Sequence, residues 1–168
     1  ILREEFGILP PGDIRRALIA LSATDNKTLS ELFGYRFAEG NGLSGHTFGN
    51  LMLTALERVT GSFEMAIEEA GKILSIEGRV LPVTLTKVSL SAELEDGKVI
   101  RGETNIDIPK HDGRLGIKRV WLEPDVSLNP AAKKAITEAD AVIIGPGDLY
   151  TSLIPNLLVR GMKGALRG

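Results

Sequence analysis

The chain has 168 residues, 43% of them hydrophobic and 25% charged, with a formal charge of −2; these values fit one globular domain and exclude a disordered tail or a fibrous repeat. With no cysteine and only two histidines, the sequence offers no thiol nucleophile, no disulfide framework, no cysteine zinc site and a poor case for a histidine metal site. Its near-neutral, interspersed charge lacks the basic stripe that nucleic-acid binding needs, and no apolar run approaches the ~18 residues of a membrane span.

Taken in chain order, the segment from Phe6 to Asp13 reads as a turn, because two prolines and a glycine forbid a continuing helix. Asp13 is then an N-cap, and Ile14, Ala17, Leu18 and Leu21 follow at helical spacing to about Ser22. Leu29, Leu32 and Phe33 suggest a short helix entered from Thr28. The glycine-rich stretch Gly40 to Asn50 feeds a long buried helix through Leu51, Leu53, Ala55, Leu56 and Val59, which Thr60-Gly61 closes. Ser62 caps the next helix, with Phe63, Ala66, Ile67, Ala70, Ile73 and Leu74 on its apolar face.

After Gly78 the period changes to that of strands. Val80 to Val83 is a short apolar run, Val88 to Glu95 alternates, Asp96-Gly97 signals a hairpin, Val99 to Ile108 reads as the returning strand and Ile117 to Leu122 as another. Residues 86–123 thus form a small antiparallel, β-rich insertion. Pro130 opens a helix through Ile136. Ala139 to Ile144 is a continuous apolar run of the kind buried within a parallel sheet, and Leu149 to Val159 begins a helix with Pro155 as a candidate kink. The fold class is α/β.

Chemistry concentrates at three turns. In Gly145-Pro146-Gly147-Asp148-Leu149-Tyr150-Thr151-Ser152 an apolar strand, a glycine-bearing turn and a helix start would leave backbone N–H groups and the positive dipole end free for phosphate or carboxylate. The glycines permit close approach, and Thr151 and Ser152 supply hydroxyls. Asp148 opposes this unless it caps the helix, binds a cation or contacts ribose hydroxyls; a plain strand-to-helix turn is the competing reading. In Gly45-His46-Thr47-Phe48-Gly49-Asn50, His46 and Asn50 are poorly explained by core packing and look like ligand contacts, although His46 could instead cap its helix. In Pro10-Pro11-Gly12-Asp13-Ile14-Arg15, Arg15 could clamp a phosphate, or Asp13 is only a cap and Arg15 a solvated side chain.

These blocks, with Gly78-Arg79-Val80-Leu81-Pro82 and Pro155-Asn156-Leu157-Leu158-Val159 in the same order, resemble the YvcK/CofD-like family over nearly the whole chain. The resemblance implies a Rossmann-like three-layer α/β/α fold with a mostly parallel sheet and the hairpin insertion, incomplete at both ends. The local motifs look like the YvcK branch, gluconeogenesis factors that bind UDP-sugars such as UDP-N-acetylglucosamine and support carbon metabolism, cell shape and peptidoglycan synthesis. The CofD branch are magnesium-dependent 2-phospho-L-lactate transferases acting on a deazaflavin. Ligand contacts carried over are Gly12, Asp13, Arg15, His46, Asn50, Gly145, Gly147, Tyr150, Thr151 and Ser152; the resemblance assigns no catalytic residue.

Family members are about twice as long, with an upstream Gly-Gly-Gly-Thr-Gly loop and an Asp-Asp-Gly-Gly-Ser segment that this sequence lacks, so it is expected to be a central portion. The resemblance implies a cytoplasmic protein whose partner is a nucleotide sugar or related phosphorylated small molecule. It requires no cofactor on the YvcK reading and Mg2+ on the transferase reading, and leaves homo-oligomerisation open.

Overall fold

The computed structural model describes residues 12–23, 27–40, 42–108 and 114–167. The expected turn at 6–11 lies outside them. Two compact units divide the chain, Ile1–Leu85 and Thr86–Gly168.

The first unit is helical. Helices α1 (Gly12–Ala20), α2 (Lys27–Gly34), α3 (Phe48–Thr60) and α4 (Phe63–Ile73) form where the apolar residues recur at helical spacing. Gly61 takes a left-handed φ of 75° and returns its N–H to Glu57, which ends α3; the Ser62 hydroxyl then accepts from the Met65 N–H and starts α4. Two residues therefore suffice to turn α4 back onto α3. Leu18, Phe33, Leu53, Phe63, Ile67, Ala70 and Leu74 make the core, with Ile14, Leu29, Met52, Leu56, Ile76 and Val80 packed against it. Asp13 differs from its expected role. It stands inside the first turn of α1, where its carboxylate receives Arg16 at 2.6 Å. The run Val80 to Val83 forms no strand.

The second unit carries a three-stranded antiparallel sheet in the order β2-β1-β3, from β1 (Ser89–Leu94), β2 (Val99–Arg101) and β3 (Ile117–Glu123). Gly97, at φ 83°, makes the turn expected at Asp96-Gly97. The returning strand is shorter than the sequence suggests: Gly102 adopts φ 87° and helix α5 (Glu103–Asp107) follows. Leu90 and Ala92 pack with Ile106 of α5, flanked by Ile100, Ile117, Val120, Leu122 and Tyr150. Asn129 caps α6 (Pro130–Thr137) by accepting from the Ala131 N–H at 3.0 Å, with Pro130 in the first turn, where a missing donor is harmless.

On the sheet's other face Glu93 receives Lys118 at 2.9 Å and Arg119 at 2.6 Å, and its side chain is only 13% exposed. Hydrogen bonds from those two cations hold its carboxyl below the ordinary carboxylate range; the Trp121 N–H does the same for Glu123, aided by Arg101 and Ser91. A depressed carboxyl stabilises the fold above its unfolded pKa, and that contribution disappears as pH falls through the folded value. Melting curves between roughly pH 5 and 3 should therefore show a steeper loss for the wild type than for Glu93→Gln.

The mostly parallel sheet expected from the sequence is not what the described residues form. Their sheet is antiparallel, and parallel pairing is confined to an isolated bridge between Ser127 and Arg160. Residues 139–144 are in no strand: Val142, Ile143 and Ile144 are 48%, 91% and 60% exposed. A strand exists only where a neighbour accepts and donates its ladder hydrogen bonds, and none of the described residues does so here.

Candidate functional site

The glycine-rich stretch ahead of α3 is pinned at its base. Residues 35–37 run antiparallel to 46–48, with the Phe37 N–H donating to the His46 carbonyl, the Phe48 N–H to Tyr35 and the Gly45 N–H to Phe37. The Arg36 guanidinium donates to the Gly45 carbonyl. Glycines 40, 42 and 45, between these two short arms, all take positive φ, a conformation that glycine adopts without strain. The loop therefore delivers α3 with its N-terminus in a fixed place.

At that N-terminus polar groups are buried without partners among the described residues. Thr47 is the N-cap of α3, yet its hydroxyl makes no capping bond; it is 2% exposed and Oγ1 has no hydrogen-bond partner. One turn on, Asn50 Oδ1 is equally orphaned, and so is Arg15 Nε. Arg15 belongs beside them because Gly49 has no side chain. A Cβ there would lie 2.9 Å from Arg15 Cδ and 2.5 Å from the Phe33 carbonyl oxygen, so only glycine lets α1 and α2 approach α3 so closely.

Burial lowers the Arg15 pKa, and the charges of Arg16 and Arg36 lower it further. Asp13 pairs with Arg16, but among the described residues no carboxylate pairs with Arg15 or Arg36. Two cations with no counter-ion among the described residues, a helix N-terminus and a buried hydroxyl lacking a partner form an arrangement that an anion completes, and Asn50 Oδ1 beside them calls for a donor. Unpaired buried polar groups are rare enough in folded proteins to demand such an explanation.

The structure thus groups Gly12, Asp13, Arg15, His46 and Asn50 in one unit. Arg15 is half-buried rather than solvated, and His46 precedes the cap, a position taken by Thr47. Thr47 and Arg36 were not expected contacts. Arg36 stands just before the glycine-rich loop, which was a signal in the sequence, whereas burial alone separates Thr47 from an ordinary cap.

In the second unit Leu149–Leu153 is a π-helical turn that passes into α7 (Ile154–Leu158). The Ser152 and Leu153 N–H groups both donate to the Asp148 carbonyl. The wider turn accommodates Pro155, whose ring and missing N–H would break a regular α-helical ladder. Asp148 makes no side-chain cap. Gly147 has φ 152°, and a Cβ there would meet Ser152 Cβ at 2.8 Å; the close packing of this turn accounts for the glycine. Tyr150 packs against the sheet core, Thr151 and Ser152 are half-buried, and Gly145 is exposed.

The family model described as 2-phospho-L-lactate transferase CofD matches residues 1–168. The chain belongs to the CofD family. The gluconeogenesis factor of Bacillus subtilis (strain 168) is 48% identical over 159 residues, covering 94% of this CofD-family chain and 49% of the relative. That of Halalkalibacterium halodurans is 46% identical over 167 residues, covering 99% and 50%. A crystal structure of a Bacillus halodurans protein superposes with a TM-score of 0.90 at 44% identity, covering 99% of this chain and 52% of that one. Against its curated relatives the chain spans between 35% and 51% of their length.

Among the described residues of this CofD-family chain no three His, Cys, Asp or Glu side chains gather as metal ligands. No helix of the described residues is long and apolar enough to cross a membrane.

Proposed function

We propose that this chain supplies the anion-holding part of a nucleotide-sugar-binding regulatory protein of the gluconeogenesis-factor type, with the diphosphate of a UDP-sugar at the N-terminus of α3. The observation that carries the reading is the trio of buried polar atoms on Arg15, Thr47 and Asn50, unpartnered among the described residues and set beside cations that no described carboxylate neutralises. A diphosphate offers acceptor oxygens for the Arg15 guanidinium and the Thr47 hydroxyl, and negative charge opposite the helix dipole, while Asn50 Oδ1, itself an acceptor, takes a hydroxyl or N–H of the sugar or base. The relatives' name of gluconeogenesis factor supports a regulatory role in carbon metabolism, and cell shape and peptidoglycan synthesis are its expected wider setting. Gly145, Gly147, Tyr150, Thr151 and Ser152 are proposed to contact the same class of ligand.

Calorimetric titration of the whole protein with UDP-N-acetylglucosamine tests this. Binding is expected, and Arg15→Leu should weaken it by about 10- to 100-fold, the worth of a charge-assisted hydrogen bond in a buried site. A folded wild type that releases no heat above buffer would discard the proposal. The family model's description favours a second reading, a magnesium-dependent 2-phospho-L-lactate transferase acting on a deazaflavin; it requires product detected by mass spectrometry only when magnesium is present.

We also infer that residues 139–144 are an inner strand of a mostly parallel, Rossmann-like sheet in the whole protein. Ala139 and the run Ala141 to Ile144 on either side of Asp140, exposed and without ladder partners among the described residues, support it.

A further inference from the structure

Three turns of α3 carry a polar stripe that the anion site does not use up. Thr47, Asn50, Thr54 and Glu57 follow at intervals of three, four and three residues, which sets them on one face beside the core-facing Leu53 and Leu56. Thr54 is satisfied, its hydroxyl donating to the Asn50 carbonyl at 2.8 Å. Glu57 is not. It is half-buried, and its Oε2 is withdrawn from solvent, accepts no hydrogen bond and joins no ion pair among the described residues. A carboxylate oxygen removed from water and left without a donor is unfavourable, and carboxylates are seldom buried unless paired.

From these observations we propose that Glu57 is the second pole of the ligand site, accepting a hydrogen bond from an N–H or O–H group carried about 10 Å from the ligand's anionic end, the rise of seven helical residues. The inference rests on the anion-site reading and adds ligand class to it: the molecule is two-ended, with phosphate at Arg15 and Thr47 and a donor-bearing head along the stripe. An imide N–H of a base and an amide N–H or hydroxyl of a sugar share this chemistry. Glu57 thereby acts in specificity, while the anion site supplies the common affinity.

Titration of the whole protein with pyrophosphate, UDP and UDP-N-acetylglucosamine tests it with Glu57→Gln and Glu57→Met. The Met variant is expected to bind pyrophosphate within about twofold of wild type and to lose about tenfold or more toward a donor-bearing ligand, with Gln between them. Loss toward UDP assigns the donor to the base; loss confined to UDP-N-acetylglucosamine assigns it to the sugar. The melting temperature of Glu57→Met should equal or exceed that of wild type, since an unpaired carboxylate has been removed. Wild-type affinity of the variants for all three probes overturns the inference and leaves the anion site standing. A uniform loss toward all three, with a lowered melting temperature, overturns it too, because Glu57 is then structural. If the wild type binds none of the probes, the anion-site reading fails and this inference goes with it.

Discussion

Replacing Gly49 with alanine should destabilise the first unit by about 2–3 kcal/mol, read as a fall of roughly 8–24 °C in its melting temperature. The sign is the informative part, because glycine-to-alanine within a helix ordinarily stabilises by about 0.5–1 kcal/mol. Here the added methyl would lie 2.5 Å from the Phe33 carbonyl oxygen, 2.7 Å from Phe33 Cδ1 and 2.9 Å from Arg15 Cδ. A side chain can rotate away from such a contact. A backbone carbonyl at the end of α2 moves only if α2 moves, and Phe33 is fully buried in the core. The same methyl would push aside the Arg15 side chain, whose Cδ lies 2.9 Å from it, so ligand affinity and stability should fall together, as they should not for Glu57→Met. Thermal melts and titrations of the two variants in parallel check both statements; a stabilised Gly49→Ala would show that the close approach of α2 to α3 is not maintained.

The helices were legible because their information is local. Phe63, Ala66, Ile67, Ala70 and Leu74 mark a buried face by spacing alone, and Gly61, Ser62 and Pro130 sit where cap and first-turn chemistry wants them. Strand β1 was legible for the same reason, since alternation from Leu90 to Leu94 needs no partner to be seen. The extent of β2 was not. Val99 to Ile108 is apolar enough for a strand, but Gly102 takes a left-handed φ, and Ile106 reaches the core from a helical turn instead. A single backbone angle decides between the two, and glycine permits either. For the site, Arg15, His46 and Asn50 stood out as polar residues at helix starts. Thr47 and Glu57 did not, because a threonine or glutamate on a helix is usually a cap or a solvated side chain. Only burial distinguishes an orphaned hydroxyl from a hydrated one, and burial is a property of the packed unit.

The other large effect falls at Ile143, where the same substitution should have two outcomes. In the 168-residue chain Ile143 is 91% exposed, so Ile143→Asp should change stability by no more than about 0.5 kcal/mol, as for surface positions in general. In the whole protein, if residues 139–144 are an inner strand of a parallel sheet, both faces of that strand are covered and the aspartate is buried without a partner. The expected loss is then about 3–5 kcal/mol, the range for an uncompensated buried charge. Denaturant titration of the two chain lengths separates the cases. The contrast follows from what a parallel strand is: its sequence can specify an apolar surface on both sides, but its hydrogen bonds belong to its neighbours. A whole protein that tolerates Ile143→Asp would leave this segment as an exposed apolar connection and remove the argument for a Rossmann-like sheet.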